Sequence, residues 1–402
     1  MFLDSGIKKE CCGCTSCKHI CPVDAIEMKS DNEGFLYPHI IESKCIHCNL
    51  CRKVCPFSVK RSSNQQTDKY PKVFAFKNKD KNVRVDSASG GASSAISQYI
   101  LSKDGVIYGA AFDSEYRVKH IRAMDSNDAQ KIRKSKYVQS DLDDVFLLVK
   151  KDLSENRYVL FTGTPCQTSG LYNYLSKSKV NTDNLILCDI VCHGVPSPLI
   201  WMNYIKSFSK KNGNIKEINF RAKSNDSGWC PFILKINSDK REYSEVSSKN
   251  AYYRLFFDHF IIRPSCHDCK FTNLCRPSDI TIADFWGIEN SEPSFHDEVG
   301  VSLVLLNSEK GEKLFNSIKD RHMYLESSRD NCLQPNLIRP TAENPLRSKF
   351  WEDYERKGFQ YALKKYGELP FKSKVKEQCK DVLKTLHLFD FAKKIVKGND
   401  TK

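Results

Sequence analysis

The chain has 402 residues, of which 40% are hydrophobic and 28% are charged, and its formal net charge is +14. This composition is typical of a folded protein with two or three domains, and it excludes an intrinsically disordered chain. No apolar run approaches the roughly 20 residues of a membrane-spanning helix, so we expect no transmembrane segment. The N-terminus lacks the apolar segment of a signal peptide, and we therefore expect a cytoplasmic protein.

The positive charge is concentrated near the end of the chain. Residues 347–402 contain 15 Lys and Arg against 8 Asp and Glu, a net +7 and half of the excess. We interpret residues 321–402 as a basic helical tail. Because no nucleic-acid-binding motif accompanies the charge, we expect no nucleic-acid partner.

The first sixty residues are dense in cysteine and contain the pattern C-x2-C-x2-C-x3-C-P twice. The matching cysteines are Cys11, Cys14, Cys17 and Cys21, then Cys45, Cys48, Cys51 and Cys55. In two-cluster ferredoxins the fourth cysteine of each motif binds the other cluster. We therefore predict two 4Fe-4S clusters, one bound by Cys11, Cys14, Cys17 and Cys55, the other by Cys45, Cys48, Cys51 and Cys21.

Zinc is the alternative metal, since CxxC pairs also bind zinc. A zinc site would require neither the third cysteine step nor the proline, so the full pattern favours iron-sulfur clusters. Cys12 is extra to the pattern and is interpreted as a small buried residue.

Later segments indicate a linker and then an α/β domain. Residues 61–71 are polar and without apolar periodicity, which predicts a linker. Beyond them, strand-like segments alternate with helical segments, and this alternation favours a mostly parallel sheet. The expected fold is thus an α+β ferredoxin-like dicluster module over 1–60, an α/β domain with a mostly parallel sheet, and a helical C-terminal tail.

Five ordered motifs identify the family that the chain resembles. They are SASGGASSAI, SKYVQS (135–140), GTPCQ (163–167), CHGVPSP (192–198), and PSCHDCKF with SDITIADFWG (264–287). Together they resemble the coenzyme F420 hydrogenase/dehydrogenase beta-subunit family, with 72–145 as its N-terminal region and 146–320 as its C-terminal region. The resemblance implies a flavin-containing oxidoreductase that moves electrons between 4Fe-4S clusters, FAD and a soluble partner, but it specifies no substrate.

A glycine-rich turn is the candidate FAD site. Ser89, Gly90 and Gly91 precede a predicted helix, where backbone N–H groups can approach a phosphate. Without the full G-x-G-x-x-G pattern the turn alone is more typical of a simple glycine turn, and the resemblance is what favours FAD. Asp284, together with Asp279 and Trp286 of SDITIADFWG, is expected near the flavin or a cluster.

A third 4Fe-4S cluster is predicted from four further cysteines. Cys166 and Cys192 each follow a predicted strand, and Cys266 and Cys269 form another CxxC. Cys275 is the rival fourth ligand, and buried structural thiols are the alternative for Cys166 and Cys192. His193 is either a proton donor beside the flavin or a structural residue, whereas Cys188, Cys230, Cys332 and Cys379 receive no role.

The predicted function is an electron relay in which the third cluster links the N-terminal clusters to FAD, with the direction of electron flow undetermined. Its partner would be a redox protein or a soluble electron carrier. The alternative is a non-catalytic electron-carrier subunit that docks to a separate enzyme, and the presence of a flavin distinguishes the two.

Overall fold

The computed structural model describes residues 1–58, 69–224 and 228–369. Most of the predicted linker (61–71) lies outside these ranges. Residues 370–402 of the predicted tail, which include Cys379, also lie outside these ranges.

The N-terminal residues form a small α+β unit around the cysteine motifs. Two strands, β1 (Ile26–Ser30) and β2 (Leu36–Ile40), pair antiparallel. The short helices are α1 (Phe2–Ser5), α2 (Ser16–His19) and α3 (Leu50–Val54). Helices α2 and α3 both start after a residue in the left-handed region, Thr15 and Asn49, so each cysteine-rich stretch turns sharply before its helix.

An eight-stranded sheet forms the centre of the molecule. Its strands are β3 (Lys72–Lys77), β4 (Val106–Phe112), β5 (Val118–Ala123), β6 (Val159–Gly163), β7 (Leu185–Ile190), β11 (Ile280–Asp284), β12 (Ser302–Leu306) and β13 (Met323–Ser327). The strand order is β13-β3-β12-β11-β7-β6-β4-β5. A separate three-stranded antiparallel sheet contains β8 (Ile215–Ser224), β9 (Gly228–Ser238) and β10 (Glu242–Val246).

The central sheet is mixed, so the prediction of a mostly parallel sheet was right only for its middle. The pairs β4/β6, β6/β7 and β7/β11 are parallel, while the pairs on both sides of them are antiparallel. Helical crossovers connect the parallel strands, as the alternating pattern requires. The outer strands pair instead through a hairpin, β4 with β5, and through segments distant in sequence, β3 with β12 and β13.

Helices cover both faces of the central sheet, and others pack on the three-stranded sheet. In chain order the helices are α4 (Lys81–Val85), α5 (Ala92–Leu101), α6 (Ser126–Ile132), α7 (Val145–Ser154), α8 (Pro165–Lys177), α9 (Pro198–Asn212), α10 (Ala251–Phe257), α11 (Ile288–Ser291) and α12 (Glu309–Ile318). Alternate strand residues point to opposite faces. Ile107 and Leu160 therefore pack with α5 and α12, whereas Val106 and Val159 pack with α7 and α8.

Residues of the predicted helical tail also contribute to the folded body. Strand β13 lies at the edge of the central sheet, so the described part of the tail is not wholly helical. Three helices follow, α13 (Pro335–Ile338), α14 (Arg347–Lys357) and α15 (Phe359–Ala362). Phe350 and Trp351 of α14 are buried in the same core as α9, α10 and the three-stranded sheet. None of the helices in the described ranges has the length and apolar character needed to cross a bilayer.

Candidate functional site

Three hollows in the structure are lined by cysteines. The first and second lie in the N-terminal unit, and the third lies where that unit meets the central sheet. In the described ranges, no three His, Cys, Asp or Glu side chains are grouped closely enough to hold a single metal ion. The cysteines instead line the three hollows in sets of at least four.

The first hollow contains cysteines from both motifs. Cys11, Cys14 and Cys17 of the first motif line it together with Cys55, the last cysteine of the second motif. Burial, with a smaller contribution from the Cys55 thiol, raises the pKa of Cys11, and burial together with the Cys14 thiol raises the pKa of Cys55. The residues predicted to share one cluster are therefore adjacent.

The second hollow has the reciprocal composition. It is lined by Cys45, Cys48 and Cys51 with Cys21. It lies nearer the surface than the first, since Cys48 and the apolar side chain of Ile46 are exposed.

The third hollow is lined by the four cysteines of the predicted third site, Cys166, Cys192, Cys266 and Cys269. Strands β6 and β7 are parallel neighbours, so Cys166 and Cys192 follow the same edge of the sheet, as expected. Cys266 lies in a 3-10 helix, Pro264–Asp268, and Cys269 follows it. Cys275, the rival ligand, lies outside the lining of this hollow.

Local structure explains why Cys166 is held in place. Pro165 occupies the first turn of α8, where a missing N–H costs nothing, and Thr164 precedes it as the N-cap. The backbone N–H of Thr164 donates to Gln167 Oε1 at 3.0 Å, and Gln167 Nε2 donates to Ser140 Oγ at 3.0 Å. The GTPCQ motif thus fixes the start of the helix, and with it the Cys166 thiol.

A fully buried ion pair lies behind the third hollow. Arg276 Nη2 donates to Asp189 Oδ1 at 2.9 Å, and the side-chain exposures are 1% and 0%. Asp189 also accepts hydrogen bonds from Ser278 Oγ and Thr281 Oγ1. The pair therefore ties β7 to β11 just before Cys192.

Replacing Asp189 with leucine should destabilise the protein strongly, because it leaves the Arg276 charge buried without a partner. We expect a loss of about 3–5 kcal/mol in the free energy of unfolding, measured as a lower urea midpoint. Lys131→Ala, which removes an exposed ion pair with Asp128, is the control and should cost about 1 kcal/mol or less. Equal midpoints for the two variants would show that the buried pair is not needed.

Burial makes three of the four predicted ligands in the third hollow poor thiolates. Burial raises the pKa of Cys266 to about 12, that of Cys269 to about 11, and that of Cys192 well above its usual value. Only thiolates bind iron, so binding there requires the metal itself to stabilise the negative sulfurs. The donor set, four thiols around one hollow, fits a 4Fe-4S cluster.

Cys12, interpreted from the sequence as a small buried residue, is buried and also has a position that the sequence did not reveal. It lines both the first and the third hollows. Hydrogen bonding with the Cys12 thiol lowers the pKa of Cys14 to about 7 and lowers the pKa of Cys166. The only indication of this position in the sequence was that Cys12 directly follows Cys11 without being part of the motif.

The glycine turn has a packing role that the sequence analysis did not anticipate. A Cβ on Gly90 would lie 2.3 Å from Phe76 O and 2.5 Å from Ser302 N, so Gly90 permits close contact with β3 and β12. Gly91 has φ +88° and is the N-cap of α5. Ser89 Oγ donates to Val301 O at 2.9 Å.

Two cations of β8 connect this turn to Asp284. Arg221 Nη1 donates to Asp284 Oδ2 at 2.9 Å, and Arg221 Nη2 donates to Ala88 O. Lys223 Nζ donates to Arg84 O and Ser89 O. Burial and the neighbouring Arg221 lower the pKa of Lys223 to about 7. The spacing of Arg221 and Lys223 on one strand face was the sequence signal for this pair.

Three further residues were singled out from the sequence: Asp279, Trp286 and His193. Asp279 accepts hydrogen bonds from Leu187 N and Ser308 Oγ, which join β7 and α12, so its role is structural. Trp286 stacks on Trp229 with centroids 4.8 Å apart. His193 lines the third hollow, and burial lowers its pKa to about 4, so the ring is neutral.

Comparison with known proteins agrees with the family suggested by the motifs. Residues 156–331 match the family model that describes the C terminus of the coenzyme F420 hydrogenase/dehydrogenase beta subunit, and residues 10–59 match the 4Fe-4S dicluster domain. The dicluster domain contains the first two hollows, while the beta-subunit region supplies the four cysteines of the third.

A solved structure is also similar to the chain. It is a chain of the xenon-derivatised F420-reducing NiFe hydrogenase complex from Methanosarcina barkeri, with 16% sequence identity and a TM-score of 0.46. The similarity covers 77% of this chain and 92% of that chain. No curated protein matches the chain.

Proposed function

We propose that this protein is an iron-sulfur flavoprotein oxidoreductase that relays electrons between a redox partner and a bound FAD. The observation that carries the proposal is the grouping of twelve predicted ligands into three hollows, with four of these ligands lining each hollow. The partner would be a separate redox protein or a soluble electron carrier.

The ligand sets follow the hollows. Cys11, Cys14, Cys17 and Cys55 would hold the first cluster, and Cys21, Cys45, Cys48 and Cys51 the second. Cys166, Cys192, Cys266 and Cys269 would hold the third. When bound, the clusters supply one-electron transfer and FAD supplies exchange between one-electron and two-electron steps.

The chain's own residues support a nucleotide near the glycine turn. The N-terminus of α5 offers backbone N–H groups, and Asn78 Nδ2 beside Gly91 is buried without a hydrogen-bond partner. Lys223 and Arg221 add positive charge beside residues 88–89. These groups suit the diphosphate of FAD, and a bound phosphate would keep Lys223 protonated.

The alternative function is that of a carrier subunit without flavin, and direct analysis separates the two. Protein purified without oxygen should contain FAD together with iron and sulfide, and reduction of the clusters should bleach the flavin absorbance. Iron and sulfide without flavin would contradict the oxidoreductase proposal and favour the carrier.

Lys223→Met should lower FAD retention at least tenfold, since it removes the charge nearest the proposed diphosphate site. Iron content should not change. Lys310→Met is a matched control, because Lys310 Nζ also donates to two backbone carbonyls, Thr182 O and Leu185 O, far from the turn.

Gly91→Val, which adds a side chain at positive φ, should lower FAD retention in the same way as Lys223→Met. Full flavin in both Gly91 and Lys223 variants would remove this region from the FAD site.

A further inference from the structure

Arg263 occupies the boundary between the first and third hollows. Its side chain is fully buried, and it lines the third hollow. Arg263 Nε donates to Cys11 O at 2.7 Å, and Nη2 lies 3.6 Å from Cys11 Sγ, a thiol of the first hollow. Nη1 donates to Gln139 Oε1 at 2.9 Å, and Gln139 Nε2 in turn donates to Cys12 O.

The positive charge of Arg263 has no carboxylate partner among the described residues. Its acceptors are the carbonyls of Cys11 and Leu36, the amide of Gln139 and the Cys11 thiol. Other buried arginines of this chain do have carboxylates: Arg276 pairs with Asp189, Arg347 with Glu33, and Arg221 with Asp284. A buried charge without a counter-charge is costly, so the negative charge that offsets Arg263 should come from the cysteine groups on either side.

We propose that Arg263 is a positioning residue shared by two iron-sulfur sites, and that its charge raises the reduction potentials of both the first and the third cluster. This inference rests on the proposed function, which places clusters in both hollows. A reduced cluster carries one more negative charge than the oxidised form, and net charge and hydrogen bonds to sulfur set its potential. A buried cation between two clusters therefore stabilises the reduced form of each.

Cys12 completes the boundary. Its side chain lines both hollows, the first together with Cys14 and the third together with Cys166. The two sites are thus separated by one side chain. A charge placed at this boundary acts on both sites, whereas the second hollow, lined by Cys21, Cys45, Cys48 and Cys51, has no contact with Arg263 among its lining residues.

The test is a redox titration of the full, iron-loaded chain followed by electron paramagnetic resonance. In Arg263→Gln, the midpoint potentials of two clusters should move to more negative values, and the third potential should stay unchanged. Arg263→Lys retains the charge and should restore most of the shift. Arg347→Gln is the control, because it removes another buried arginine whose acceptors are the Glu33 carboxylate and Ile262 O, with no thiol among them. It should leave all three potentials unchanged.

Iron content separates failure of this inference from failure of the proposed function. A loaded chain with ~8 iron atoms instead of ~12 would contradict the third cluster itself. A chain with ~12 iron atoms in which Arg263→Gln moves one potential or none would overturn the shared role. If Arg263→Gln does not fold, Gln139→Glu decides the question. This isosteric change places a carboxylate against the protonated guanidinium and offsets its positive charge, so the same two potentials should fall. Unchanged potentials would overturn the inference.

Discussion

Serine at Cys266 or at Cys269 is expected to remove one whole cluster, ~4 of ~12 iron atoms per chain, since each cube contains four. The spectrum of the two N-terminal clusters should remain, because their eight cysteines line other hollows. Flavin reduction by a donor that reduces the dicluster domain should also be lost. Iron analysis, absorption and electron paramagnetic resonance of the loaded protein measure all three effects.

Cys275→Ser provides the matched control for this experiment. Cys275 follows Cys269 closely but lies outside the third hollow, so its replacement should leave the iron content unchanged. Cys192→Ser should behave like Cys266→Ser. If Cys275→Ser loses the cluster while Cys192→Ser retains it, the ligand set must be revised, and a wild-type content of ~8 iron atoms would eliminate the third cluster.

Crossed ligation in the dicluster domain predicts an unusual result for pairs of cysteine variants. Cys11→Ser with Cys55→Ser should cost only ~4 iron atoms, because both residues serve the first cluster although they belong to different motifs. Cys45→Ser with Cys55→Ser should cost ~8, because these two residues of one motif serve different clusters. Iron analysis of the two double variants measures the difference directly.

Uncrossed ligation predicts the reverse order, a loss of ~8 iron atoms for the first pair and ~4 for the second. The comparison is internally controlled, since both double variants contain Cys55→Ser. The single variant Cys55→Ser should lose ~4 in either case and shows whether loss of one cluster releases the other. The adjacency of Cys55 to Cys11 and Cys14 is the structural basis for expecting the crossed result.

Sequence reasoning worked best where spacing alone determines chemistry. The cysteine motifs predicted which thiols lie together, and the ordered motifs predicted the family that residues 156–331 match. Alternating strands and helices predicted the parallel strands β4, β6 and β7, whereas β11, separated from β7 by the three-stranded sheet, was not predicted. In each case the information is local, within a motif or a strand-helix-strand unit.

Long-range contacts were beyond sequence reasoning. Arg263 and Cys11 are 252 positions apart, and nothing in either segment indicates the other. Residues 323–327 were predicted to be part of a helical tail but form strand β13. The prediction failed because this strand pairs with β3, about 250 positions earlier in the chain, and the local sequence does not indicate that pairing. Gly90 was likewise interpreted as a glycine that lets backbone N–H groups approach a phosphate. Its close contact with β3 and β12 explains the glycine without any ligand.

The dicluster domain is held by residues from the middle and the later part of the chain, between positions 173 and 347. Ser197 Oγ donates to Glu33 O at 2.5 Å, and Arg347 of α14 forms a buried ion pair with the Glu33 carboxylate. Lys270 Nζ donates to Phe57 O and Asn173 Nδ2 to Val54 O, so the second cysteine motif is held as well. These contacts fix the position of the domain relative to the central sheet. Electrons would therefore pass through a fixed arrangement of sites, without movement of the domain between distant docking positions.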